Sequence, residues 1–277
     1  MNLASLRSWA LQLWLPVVIV VAIFVGTAGS TSFYFPPFTE VLKALVDAFA
    51  TGGLLADVAF SMTSVAIGLA IAIVAGVGLG VLIGERESLR VASQPFLDFM
   101  RAMPKVALVP IFILTFGIGS EPKVAIIALG GLWPILWNTI AGVHGIAPSV
   151  RESVRAYRIP AWLRLWKVLI PGALPQIFAG IRIALAIALL LMIVGEIYGS
   201  PQGLGNFVLR AGNSFLIAQT WAGTLLVGLI GYAMTLLLML VEHYALGWYR
   251  QRAPRERVEA KASSYTLAIR TVRGRKP

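Results

Sequence analysis

The residues suited to chemistry are gathered mainly in one polar stretch, Ser149 to Pro175, which reads SVRESVRAYRIPAWLRLWKVLIPGALP in an otherwise apolar chain. Ser149 precedes Glu152 by three residues, the spacing of a capping box, so a helix is expected to start here with Pro148 just outside it. On that helix Val150, Val154 and Tyr157 share one face, and Arg151, Arg155 and Arg158 another. A break at Ile159 and a second helix from Pro160 are expected next, since proline is tolerated in a first helical turn. Trp162, Leu165, Trp166 and Leu169 recur at helical spacing, with Arg164 and Lys167 opposite, and Pro171 and Pro175 are expected to end the pattern. Such a bent, basic and amphipathic pair is suited either to lying in lipid headgroups or to docking on a protein partner.

Elsewhere reactive groups are sparse. The chain has no cysteine and two histidines, His144 and His243, far apart in sequence. A disulfide framework and a thiolate site are excluded, and a histidine metal site or catalytic triad has poor support. We therefore expect no catalytic residue, no metal ligand and no cofactor held by this chain. Two polar residues fall inside apolar runs. Asn138 is a candidate for interhelical hydrogen bonding or for the substrate path, and Glu196 for a structural, gating or ligand-contacting role.

The elements that must position these groups are membrane helices. Of the 277 residues 58% are hydrophobic and 13% charged, and the mean hydropathy is +0.83, too apolar for an ordinary soluble domain. Six spans are expected, the first at Leu11 to Val25, read as retained rather than as a cleaved signal peptide. An amphipathic helix at Thr39 to Ala50, stopped by Gly52-Gly53, is placed on the outer surface. The second span is Val58 to Gly84, where Gly76, Gly80 and Gly84 at four-residue spacing are candidates for close helix packing. The third is Phe96 to Phe116, interrupted by Pro104 and Pro110. Val124 to Val143, Ile177 to Ile197 and Trp221 to Tyr244 complete the set, with Arg182 near the inner end of the fifth and able to snorkel to the surface. The resulting division is an N-terminal tail and first span (1–30), an outer segment (31–57), a core of five spans (58–249) that holds the polar loop 148–175, and a basic tail (250–277).

Orientation follows from charge. With the N-terminus inside, all of the 23 Lys and Arg except Lys43, Lys123 and Arg210 fall on the inner side. Both termini and the loop 148–175 are then cytoplasmic. The net charge of +11 is thereby assigned to the membrane face rather than to nucleic acid.

Glu152-Ser153-Val154, Ala156-Tyr157-Arg158, Ile170-Pro171 and Leu174-Pro175 resemble the EAA loop of ABC importer permeases, the cytoplasmic loop that inserts into the ATPase subunit. The family usually has two alanines after the glutamate, and a glycine where this chain has Arg158. A left-handed backbone there costs an arginine steric strain, which leaves open whether the turn is kept. Arg101, Pro104, Ala107, Pro110, Phe116 and Gly117 resemble a matching segment in permeases for sulfonates, taurine and nitrate.

The resemblance spans about Phe35 to Tyr249. It implies an all-α membrane protein with the type I ABC importer permease fold and a cytoplasmic coupling helix pair, in the bacterial plasma (inner) membrane. Its implied partners are cytoplasmic ABC ATPases that bind ATP and Mg, a periplasmic or lipid-anchored substrate-binding protein, and a second permease, here an identical copy. On the same basis Glu152, Ser153, Val154, Arg155, Ala156, Tyr157, Arg158, Ile159 and Pro160 are the ATPase-coupling residues. No G-x-x-x-x-G-K-[ST] phosphate loop is present, so ATP is assigned to the partner. An ion-coupled secondary transporter or channel, with Glu196 and Asn138 carrying the ion, is the alternative.

Overall fold

The computed structural model describes residues 14, 18–19, 21–50 and 53–247. The expected first span, Leu11 to Val25, falls partly outside them, and the basic tail from residue 250 wholly so. Residues 21–27 are helical and precede the first complete helix, α1, Phe38–Ala50.

The rest is a bundle of helices. A 33-residue helix, α2 (Gly53–Glu85), is followed by α3 (Glu87–Ala102), a short 3-10 turn (Lys105–Leu108) and α4 (Val109–Phe116). After α5 (Glu121–His144) come a short α6 (Pro148–Ala156) and a 39-residue α7 (Ala161–Gly199). A short α8 (Leu204–Asn213) and the long α9 (Ile217–Ala245) follow. Four of these helices, α2, α5, α7 and α9, are long and apolar enough to cross a membrane, and the bent pair formed by α3 and α4 makes a fifth crossing if it counts as one span.

The third span, expected from Phe96 to Phe116 with breaks at Pro104 and Pro110, is broken at the first of these only. It turns by 83° between α3 and the Lys105–Phe116 segment. Met103, immediately before Pro104, has an extended backbone (ψ 127°), the conformation that a following proline ring enforces. Pro110 bends nothing, because it sits in the first turn of α4, where no hydrogen bond needs its missing N–H.

At the centre lies α5, clasped between α2 and α7. Gly68, Gly76, Gly80 and Gly84 on α2 face Ile127, Ile135, Thr139 and Val143 on α5, so both helices advance in four-residue steps along their contact. The approach is close enough that a Cβ at Gly80 would lie 2.5 Å from Thr139 Cβ. Small residues at this period let dispersion contacts replace the hydrophobic drive that lipid does not supply. On the other side of α5, Gly142 meets Ala173, and Gly180 of α7 meets Asn138. Ala72, Ile135, Val143, Ala173, Ile181 and Ala184 form one half of the resulting core, nearer residues 148–175. Val65, Ile127, Leu191 and Met192 form the other half. By contrast α9 buries only Ala222, Gly223 and Leu226 and presents most of its apolar surface outward.

Candidate functional site

The polar stretch folds as a hairpin of α6 and the start of α7. Pro148 belongs to α6 rather than standing outside it: it occupies the first turn, and Ala147 is the N-cap residue. The expected capping box does not form, since no side chain caps this end and Ser153 Oγ instead donates to Ser149 O at 2.9 Å. Glu152 points to solvent. With proline already occupying a position that needs no N–H partner, the first turn has less use for a side-chain cap.

The α6 C-terminus closes in a Schellman motif. Ile159 N–H donates to Val154 O at 3.1 Å and Arg158 N–H to Arg155 O at 3.0 Å, with Arg158 at φ +48°. The left-handed turn is thus made here with an arginine, at the steric cost that a glycine avoids.

A further departure lies in the second arm. Pro171 and Pro175 do not end it, and α7 runs unbroken from Ala161 into the membrane. A wide turn at Leu165–Leu169 makes this possible, with Ile170 N–H reaching back five residues to Leu165 O. Widening the turn there removes the clash between the Pro171 ring and the carbonyl four residues before it. The hairpin and the membrane helix are consequently one mechanical piece.

The hairpin residues divide by exposure. Val154 is buried against the bundle and Ile159 is half-buried. Glu152, Ser153, Arg155, Ala156, Tyr157, Arg158 and Pro160 are exposed, with Tyr157 81% accessible and Trp162 71%. Arg151 turns the other way, its Nη2 donating to Val143 O at 2.5 Å and His144 O at 3.2 Å. It satisfies terminal carbonyls of α5 and braces the hairpin from within. Arg164 is ion-paired with Glu85 at the end of α2.

At the opposite end of the bundle Glu196, already a candidate from the sequence, centres a second polar cluster whose other members the sequence did not disclose. Glu196 is fully buried and accepts three hydrogen bonds: Ser61 Oγ at 2.7 Å and Lys123 Nζ at 3.1 Å on Oε1, and Gly205 N–H at 2.8 Å on Oε2. Ser61 Oγ also receives Leu204 N–H at 3.0 Å, and Asp57 Oδ1 receives Gly203 N–H at 2.7 Å. Three successive backbone donors at the start of α8 are thus held by a carboxylate, a hydroxyl and a second carboxylate, where the helix dipole favours negative charge.

Geometry requires glycine in this clasp. Gly203 has φ +112°, and a Cβ on it would lie 2.3 Å from the Glu196 carboxyl carbon. Lys123, expected among the outer surface charges, is 1% accessible, paired with Glu196 and 3.7 Å from the Phe60 ring centroid. A buried ammonium persists when a carboxylate and an aromatic face replace its water. Arg210 pairs with Asp57 at 3.4 Å, and Lys43 remains exposed. The i, i+4 pair Asp57 and Ser61 was the available signal for the clasp, hidden by its place at the mouth of an apolar run.

Asn138 and Glu196 are not brought together. Asn138 Nδ2 donates to Pro134 O of its own helix at 2.8 Å, and its Cβ packs on Gly180, sixteen residues and about 24 Å along α7 from Glu196. Arg182, expected to snorkel, donates to Glu242 of α9 at 2.5 Å.

The bundle, with a bent hairpin continuous with one of its membrane helices, has counterparts among known proteins. Residues 72–251 match the family described as "Binding-protein-dependent transport system inner membrane component", and the chain belongs to it. Relatives include a Bacillus subtilis permease protein assigned to aliphatic sulfonates transport, 28% identical over 87% of this chain and 88% of its own. The taurine transport system permease protein of Escherichia coli is 27% identical (78% of this chain, 80% of its own). The nitrate import permease protein of Leptolyngbya laminosa is 30% identical (72% and 73%). Among solved structures, an inward-facing form of the MetNI methionine ABC transporter superposes with a TM-score of 0.55 at 19% identity, covering 71% of this chain and 95% of that one, which establishes a shared fold. The protein is accordingly a membrane-spanning permease subunit of an ABC importer.

Proposed function

We propose that this permease imports a small organic or inorganic anion such as a sulfonate, taurine or nitrate, as a homodimer with two cytoplasmic ATPases and an outer binding protein. The substrates named for its relatives support the anion class. ATP and Mg belong to the ATPases, since this sequence lacks a phosphate loop. Both termini lie in the cytoplasm and the lipid-facing surface of α9 contacts membrane lipid, in line with the distribution of basic residues.

The observation that carries the reading is the hairpin. Glu152, Ser153, Arg155, Ala156, Tyr157, Arg158 and Pro160 offer an exposed face to the ATPase, while Val154 and Ile159 anchor it and the unbroken α7 transmits its motion. ATP-driven closure of the ATPases moves the two hairpins, and the cavity between the permeases changes the side it faces. The ATPase must grip the hairpin differently in its two states, because equal binding to both would shift nothing. Glu196 serves as a gating tether that keeps the outer loop on the bundle, and Asn138 lines or stabilises the path on α5. An ion-coupled mechanism would need Glu196 free to exchange its ion, whereas its carboxylate oxygens are already engaged.

The test is uptake into proteoliposomes containing the permease and its ATPase, supplied with the binding protein. Accumulation of taurine, an alkanesulfonate or nitrate that requires ATP inside and the binding protein outside is expected. Uptake driven by an ion gradient without the ATPase would overturn the reading.

A further inference from the structure

Beneath the hairpin, where it meets the inner ends of α2 and α5, lies a cavity of about 310 Å³ whose charged lining is Glu85, Arg86, Arg151, Arg155 and Arg164. Four arginines thus line it beside a single glutamate. Glu85 is engaged by Arg164, and one Nη2 of Arg151 is spent on the α5 carbonyls. Arg86 and Arg155 make no ion pair among the described residues, and Arg164 Nε is buried without a hydrogen-bond partner. Arg86 and Arg155 are exposed, so the lining carries excess positive charge and spare donors at the cavity mouth, with one buried unpaired donor, Arg164 Nε, behind them; an entering anion would engage all three.

We propose that this cavity is a binding site for a phosphate group, seated between Arg86, Arg155 and Arg164. Arginine forks match tetrahedral oxyanions with two parallel N–H donors each, which a lysine could not reproduce. The cytoplasmic placement of the hairpin, on which this inference rests, puts the cavity at headgroup depth, where basic pockets between helix ends take lipid phosphates. A soluble phosphate has the same chemistry. The bound group joins the α2–α3 junction, α6 and α7 at the root of the hairpin, so its occupancy sets how firmly the hairpin is held.

The test uses purified full-chain permease in detergent. Phosphatidylglycerol binding is read by native mass spectrometry, and radiolabelled inorganic phosphate binding by equilibrium dialysis. One bound anion per permease is expected, with affinity reduced about tenfold in Arg155→Gln and further in Arg86→Gln/Arg155→Gln. Lys43→Gln, on the outer side, should leave binding unchanged, and circular dichroism checks that helix content is retained. Lipid binding that inorganic phosphate fails to displace identifies a headgroup site, and displacement identifies a soluble anion; either supports the proposal. Wild-type protein that binds neither probe, or variants that bind both as tightly as wild type, would overturn it. A site filled only by an acidic side chain of the ATPase would give the first of these negative results, whereas ATP-driven uptake tests the importer reading separately.

Discussion

The two polar ends of this bundle are built on opposite principles. In the clasp around Glu196 the residues Asp57, Ser61, Lys123 and Glu196 are buried; Ser61 and Lys123 bond Glu196, while Asp57, Ser61 and Glu196 hold the backbone of residues 203–205. At the hairpin Tyr157 and Trp162 are largely exposed, as are Arg155 and Arg158. The clasp is complete within the chain, so its residues belong to the fold. The hairpin presents large aromatic and cationic side chains that the monomer does not cover, the pattern of a surface awaiting a partner.

This contrast separates residues whose loss should unfold the permease from residues whose loss should only disconnect it. Lys123→Met would strand Glu196 and is expected to destabilise by about 3–5 kcal/mol, read as a lower unfolding temperature of the purified permease. Lys123→Met/Glu196→Gln should recover much of that loss, because the amide still accepts from Gly205 and no charge is left unpaired. An additive double variant would show that the clasp is not one unit. Gly80→Val comes next, since its side chain must push Thr139 aside, with an expected cost of about 1–3 kcal/mol.

On the hairpin the readout changes. Tyr157→Asp should alter stability by less than about 0.5 kcal/mol while lowering ATP-driven uptake about tenfold or more. Unfolding of that variant in parallel with lost uptake would erase the distinction between the two ends. The smallest effect is expected from Arg158→Gly, which removes the left-handed strain at φ +48° against the extra chain entropy of glycine. A net stabilisation of about 0.5–1 kcal/mol should appear in the isolated permease.

Much of this architecture was legible in sequence. The long apolar runs gave α2, α5, α7 and α9 to within a few residues at most ends, because backbone hydrogen bonds in lipid leave few alternatives to a helix. The hairpin was visible as a basic interruption, including its bend at Ile159. What could not be read was where broken backbone rules are absorbed. Pro171 looked like a terminator, but a wide turn five residues long lets the helix pass it. Pro104 and Pro110 looked equivalent, yet only Pro104 redirects the chain. Lys123 looked like a surface charge because its partner Glu196 lies 73 positions away, and pairing at that range leaves no periodic trace.

Because the chain contains no cysteine, one introduced at position 157 is a unique probe of the central claim. With Tyr157→Cys in the assembled transporter, a short thiol crosslinker should join the permease to its ATPase, and an impermeant maleimide added outside intact cells should not label it. Labelling from outside, or no crosslink to the ATPase in either nucleotide state, would contradict the assignment of the hairpin as the point where ATP hydrolysis meets the membrane.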